Sequence, residues 1–156
     1  MKLLDNKVAI VTGGSRGIGE AIALKLAEHG AHIAFTYVSD RSAGNAQQLE
    51  EKLKALGVKA KAWQSDAGDY AQCEKFVNEV MQMFGSVDIC VNNAGISKDN
   101  LLLRLSQEQW DEVMQTNLKS VFNMTKQVIR PMMKARSGAI INMSSIVGMK
   151  GNAGQS

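Results

Sequence analysis

Residues 8 to 27 read VAIVTGGSRGIGEAIALKLA, and they constrain this chain more than any other stretch. A β-branched run, Val8 to Val11, ends in Thr12. Glycines follow at Gly13, Gly17 and Gly19. Ile18, Ala21, Ile22 and Leu26 then share one face of a helical run. Strand, glycine turn and helix in that order set a helix N-terminus where a pyrophosphate can bind. Gly13 and Gly17 allow a sharp turn with no Cβ in the way. Gly19 is expected to let the helix pack closely on the strand. The spacing is G-x-x-x-G-x-G, a variant of the better-known G-x-G-x-x-G, and the flanking strand and helix point to a dinucleotide.

A length of 156 residues suits a single dinucleotide-binding domain over 1–156. Apolar content of 45% and charged content of 21% are ordinary globular values. A net charge of +3, well dispersed, argues against nucleic acid or a membrane surface as partner. Cys73 and Cys90 sit in helix-like and strand-like runs and read as buried free thiols. No metal site is expected. No apolar run approaches membrane-spanning length and no leader precedes the first strand, so a cytoplasmic location is expected.

Strands are expected at Val8–Val11, His32–Val38, Lys59–Gln64, Val87–Val91 and Ala139–Asn142. Helices are expected at 17–29, 42–56, 70–84 and 107–135. The last opens on Ser106 with Gln109 three residues on, a capping-box pattern, and Pro131 should bend or end it. Met114, Met124, Met132 and Met133 read as packing residues. The alternation implies a Rossmann-type α/β fold: a doubly wound parallel sheet with helices on both faces, stopping after the fifth strand.

Ligands of such sheets collect at the carboxyl ends of the strands. Four polar groups fall there: the glycine loop, Ser65-Asp66-Ala67, Asn92-Asn93-Ala94-Gly95 and Met143-Ser144-Ser145. Singly, each reads more readily as a turn, a loop or a helix cap; their joint position on one edge is what points to a site. Asn117 falls on a stripe with Trp110, Met114, Val121 and Val128. An amide on an apolar face must be hydrogen-bonded, so periodicity alone reads it as a satisfied core asparagine.

Taken together, Thr12-Gly13-Gly14-Ser15-Arg16-Gly17-Ile18-Gly19, Asn92-Asn93-Ala94-Gly95, Asn117 and Ser145 resemble the ordered motifs of the short-chain dehydrogenase/reductase family. Gly95-Ile96-Ser97-Lys98-Asp99-Asn100-Leu101-Leu102 and the stretch from Gly148 to Gln155 are similar to its β-ketoacyl-acyl-carrier-protein reductases. The resemblance implies that Gly13, Gly17 and Gly19 hold the pyrophosphate, with Ser15, Arg16 and Ile18 on the adenosine side. It gives Asp66 the adenine amino group, with Ala67 beside it. Asn93, Ala94 and Gly95 would contact the adenine-side ribose and steady the central strand. Ser145 would bind the substrate carbonyl, and the Asn117 carbonyl would hold a water of the proton relay.

The family's tyrosine is due thirteen residues after Ser145 and its lysine four further on, both beyond Ser156. Tyr37 and Tyr70, the only tyrosines, stand elsewhere. The chain therefore reads as the N-terminal part of a reductase, inactive alone. NAD-specific members carry an acid at the end of strand two; Tyr37 stands there, with Arg16 and Arg41 near, so NADP is the expected cofactor. Asp40 is close enough to matter if the register shifts. The resemblance implies NADPH-dependent reduction of 3-oxoacyl thioesters in fatty-acid synthesis, with a homotetramer as quaternary form. An acidic acyl carrier protein would dock through Arg136, with Lys134 beside it, near the active-site mouth. Other short-chain reductases, such as those of acetoacetyl-CoA, sugars or steroid-like ketones, and a non-catalytic dinucleotide-binding protein, are the alternatives.

Overall fold

The computed structural model describes residues 2–155; the expected domain's end residues, Met1 and Ser156, lie outside it. Five strands, β1 (Val8–Val11), β2 (His32–Tyr37), β3 (Ala60–Gln64), β4 (Ile89–Asn92) and β5 (Ala139–Asn142), form one sheet in the order β3-β2-β1-β4-β5. Every pairing is parallel. The order reverses beside β1, which makes β1 and β4 the two strands flanking the switch point.

Six helices connect and follow the strands: α1 (Gly17–Glu28), α2 (Ala43–Ala55), α3 (Tyr70–Phe84), α4 (Gln107–Val113), α5 (Ser120–Ala135) and the single turn α6 (Val147–Lys150). Period-two alternation along β1 divides the core into two layers. Val8 and Ile10 pack with Phe76, Val80, Met124 and Val128 of α3 and α5. Ala9 and Val11 pack with Ala23, Ala27, Leu49 and Leu53 of α1 and α2. The central strands are buried on both faces, so Val8, Ala9, Ile10 and Val11 are all within 1% of zero exposure. At the N-terminal edge of the sheet Asp88 ties strands together: its carboxylate accepts from the Val8 N–H (2.9 Å) and pairs with Lys7 (3.1 Å).

Most expected ends are met to within two residues, as at β4, which begins at Ile89 rather than Val87, and one departure is larger. The expected helix 107–135 is interrupted: Met114–Lys119 form a π turn between α4 and α5. The wider turn rotates one half of the helix against the other. Trp110 is therefore 48% exposed while Val128 is fully buried, and the expected single stripe does not exist. Pro131 lies inside α5, which ends at Ala135 as expected. The turn α6 has no counterpart among the expected helices. The capping box is present: Ser106 Oγ accepts from the Gln109 N–H (3.2 Å) and Gln109 Oε1 from the Ser106 N–H (3.0 Å).

Candidate functional site

The chain leaves β1 at Thr12 and enters the glycine loop. Gly13 (φ +63°) and Gly17 (φ +57°) take left-handed backbone, which glycine adopts without strain. Around Gly17 there is open space, so conformation alone selects glycine there. At Gly19 contact selects it: a Cβ would run into the Gly13 carbonyl oxygen and sit 2.6 Å from Asn93 Nδ2. The close approach is thus to the loop and to Asn93, rather than to the strand as expected.

Two threonines hold this loop. Thr12 Oγ1 accepts from the N–H groups of Asn93 and Ala94, both at 3.0 Å, and Thr12 is 1% exposed. Asn93 Nδ2 returns two bonds, to the carbonyls of Thr12 (3.0 Å) and Gly13 (3.1 Å). The loops after β1 and β4 are therefore one hydrogen-bonded unit. From the other side, Thr36 accepts the Gly13 N–H on Oγ1 (3.2 Å) and the Gly14 N–H on its carbonyl (2.9 Å). Neither threonine is singled out as a site residue by the sequence, because their partners lie 23 and about 80 positions away.

The first-turn N–H groups of α1 have no intrahelical partner, and Arg16, its N-cap, makes no side-chain capping bond. They open onto a cavity of about 550 Å³. All twelve expected cofactor residues line it: Gly13, Ser15, Arg16, Gly17, Ile18, Gly19, Tyr37, Asp66, Ala67, Asn93, Ala94 and Gly95. Ser39, Ser42, Ser65 and Thr116 line it too. Uncapped amides, a cradle that a Cβ would fill and the exposed cation of Arg16 make this cavity fit a pyrophosphate. Asp66 Oδ1 accepts the Gly68 N–H (2.8 Å), while Asp69, not Asp66, caps α3. The Asp40 carboxylate takes a bond from Gln64 Nε2 (2.9 Å), and Asp40 does not line the cavity. Arg41 does not line it either.

A second cavity of about 320 Å³ adjoins the first, and Ile96 lines both. Asn117 and Ser145 meet there, against an apolar wall of Leu105, Trp110, Val113 and Val147. Asn117 lies in the π turn and is exposed rather than a core residue. Its amide clips the loop after β4: Oδ1 accepts the Ile96 N–H and Nδ2 donates to the Ile96 carbonyl, both at 2.8 Å. Ser145 Oγ accepts the Val147 N–H (3.2 Å), which leaves the hydroxyl hydrogen to donate elsewhere.

Within one chain, Arg136 stands apart from Ser145. It terminates α5, just before the chain enters β5 at Ala139. Ser145 follows the opposite, carboxyl end of β5. A helix that returns to start a parallel strand ends at the strand's amino edge, so the length of the sheet separates Arg136 from the Ser145 cavity.

A parallel sheet with a glycine loop and an uncapped helix at its switch point defines the dinucleotide-binding α/β class. Comparison narrows it: the short chain dehydrogenase family model matches residues 7–156, and the chain belongs to that family. It is 49% identical over 150 residues to the 3-oxoacyl-[acyl-carrier-protein] reductase FabG of Staphylococcus epidermidis, covering 96% of this chain and 61% of that protein. It is 47% identical over 154 residues to the protein of the same name from Chlamydia muridarum, covering 98% and 61%. A crystal structure described as a short-chain alcohol dehydrogenase from Sinorhizobium meliloti 1021 superposes with a TM-score of 0.90 at 33% identity, covering 97% and 59%. The chain thus spans about three fifths of the length of the relatives it matches.

Proposed function

We propose that this chain serves an NADPH-dependent reduction of 3-oxoacyl-acyl-carrier-protein to the 3-hydroxyacyl product. The observation that carries the reading is the junction of the two cavities at Ile96. One is lined by anion-binding backbone, the other by a serine hydroxyl and an apolar wall suited to an acyl chain. The cofactor, when bound, supplies a hydride to the carbonyl carbon. The first-turn amides of α1 and Arg16 hold its phosphates. Tyr37, a neutral side chain at the end of β2, raises no repulsion against a 2′-phosphate, and Gln64 holds the Asp40 carboxylate. Asp66, beside Ala67, faces the adenine end. Ser145 donates to the substrate carbonyl oxygen and favours the charge that develops there. Asn117 fixes Ile96, and its carbonyl offers a place for a relay water. Relatives named 3-oxoacyl-[acyl-carrier-protein] reductases support the substrate class.

Proton delivery to the carbonyl oxygen needs an acid beside Ser145. Tyr37 lines the other cavity and Tyr70 begins α3. The 156-residue polypeptide assayed alone is therefore expected to bind NADPH but to turn over no acetoacetyl-CoA. A chimaera that joins residues 1–156 to the remainder of the Staphylococcus epidermidis relative should reduce it, and Ser145→Ala should abolish that activity. Turnover by the 156 residues alone, or a chimaera indifferent to Ser145→Ala, refutes this assignment. For cofactor choice, NADPH should bind more tightly than NADH, and Tyr37→Asp should erode the difference. Equal affinities, unchanged by Tyr37→Asp, refute the NADP reading.

A further inference from the structure

We propose that the groove between α3 and α5 is a binding site for a small oligophosphate anion, separate from the cofactor cavity. Lys126, Arg130 and Lys134 recur every four residues along α5 and share one face. They line a groove of about 450 Å³ whose opposite wall is α3. Like charges at this spacing disfavour a helix unless something answers them. The other helices supply the answer: Lys25 pairs with Glu28, Lys54 with Glu50 and Lys75 with Glu79. Among the described residues, the three α5 cations have no such carboxylate. Lys126 instead lies over the Phe122 ring at 5.7 Å.

A second observation points into the same groove. Gln127 Nε2 is buried with no acceptor, and Gln127 lines the groove. A buried donor without an acceptor is costly and uncommon. Across the groove, Tyr70 and Asn78 add a hydroxyl and an amide, and Glu74 adds one carboxylate. Three cations against one acid favour an anion of at least two charges. Phosphate oxygens match such a donor set: guanidinium takes two at once, ammonium and amide one each. The groove is open enough for a small molecule.

The test is titration of the 15N-labelled chain with inorganic tripolyphosphate at physiological salt, following the side-chain amide signals of Gln127 and Asn78. These should shift and saturate with a midpoint below about 1 mM. Arg130→Gln, at an exposed position, should raise that midpoint by about tenfold, and the double variant Lys126→Gln/Lys134→Gln should do the same. Arg16→Gln should leave it unchanged, since Arg16 lines the other cavity. Shifts confined to Gly13–Gly19 would overturn the proposal. So would shifts at Gln127 that never saturate, or a midpoint indifferent to Arg130→Gln.

Discussion

Thr12→Val removes one hydroxyl and nothing else of the side chain's shape. The hydroxyl accepts two N–H groups, from Asn93 and Ala94, each at 3.0 Å. It also donates a longer bond to the Val91 carbonyl at 3.5 Å. Valine cannot accept, and both N–H groups are given to Thr12 Oγ1. A buried donor left unsatisfied costs about 1–3 kcal/mol. Both amides are only partly buried, so the lower half of that range applies to each. The sum is about 2–4 kcal/mol, or a fall in Tm of roughly 5–12 °C for a chain of this size. Urea denaturation at pH 7 measures the loss directly. Thr12→Ser is the control, since it keeps the acceptor and loses only a methyl group; it should retain most of the stability. A loss under about 0.5 kcal/mol in Thr12→Val would mean that water replaces the hydroxyl freely, and the two loops would not be one unit.

Gly19→Ala places a methyl against the Gly13 carbonyl and the Asn93 amide, so NADPH affinity should fall by about tenfold or more while far-UV circular dichroism stays native; unchanged affinity by fluorescence titration refutes the contact. Burial pushes the Asp88 carboxyl up, but the Val8 N–H, Lys7 and the Ser86 hydroxyl together hold it below its usual range. A depressed folded pKa gives stability that is present above the unfolded value of about 3.9 and lost as pH falls through the folded one. Asp88→Asn should therefore destabilise by about 1–2 kcal/mol at pH 7 and by much less near pH 2; an equal loss at both pH values in urea melts would refute the charged role. Burial raises the Cys73 thiol to about 12, helped by Asp66 and Asp69, and burial with Cys73 nearby raises Cys90 to about 12. Neither should react with a disulfide reagent at pH 8 until urea unfolds the chain; fast native-state labelling of either would refute it.

Local signals were legible in the amino-acid sequence. The β1–loop–α1 unit, the limits of α3 and the Ser106–Gln109 box depend on residues within a few positions of one another. Their physics is short-range. The π turn was not legible, because Trp110, Met114, Asn117 and Val121 obey a 3.6-residue period that the chain does not follow there. Asn117 consequently looked like a core amide, whereas the wide turn carries it to Ile96. Thr12 and Thr36 escaped for a different reason. A hydroxyl takes its meaning from its partners, and theirs come from β4 and β1 after the sheet has formed. Arg136 shows what topology adds: the end of a returning helix lies at the amino edge of the next strand, so within one chain this residue is set apart from Ser145, a relation that motif resemblance does not carry.

The loop after β4 is fastened on two sides, by Thr12 at Asn93 and Ala94 and by Asn117 at Ile96. Its conformational entropy is surrendered when the chain folds. A ligand that bridges the two cavities meets a wall already in place and loses little affinity to ordering it. The glycine loop and its neighbour thus act as a fixed reference for whatever binds across them.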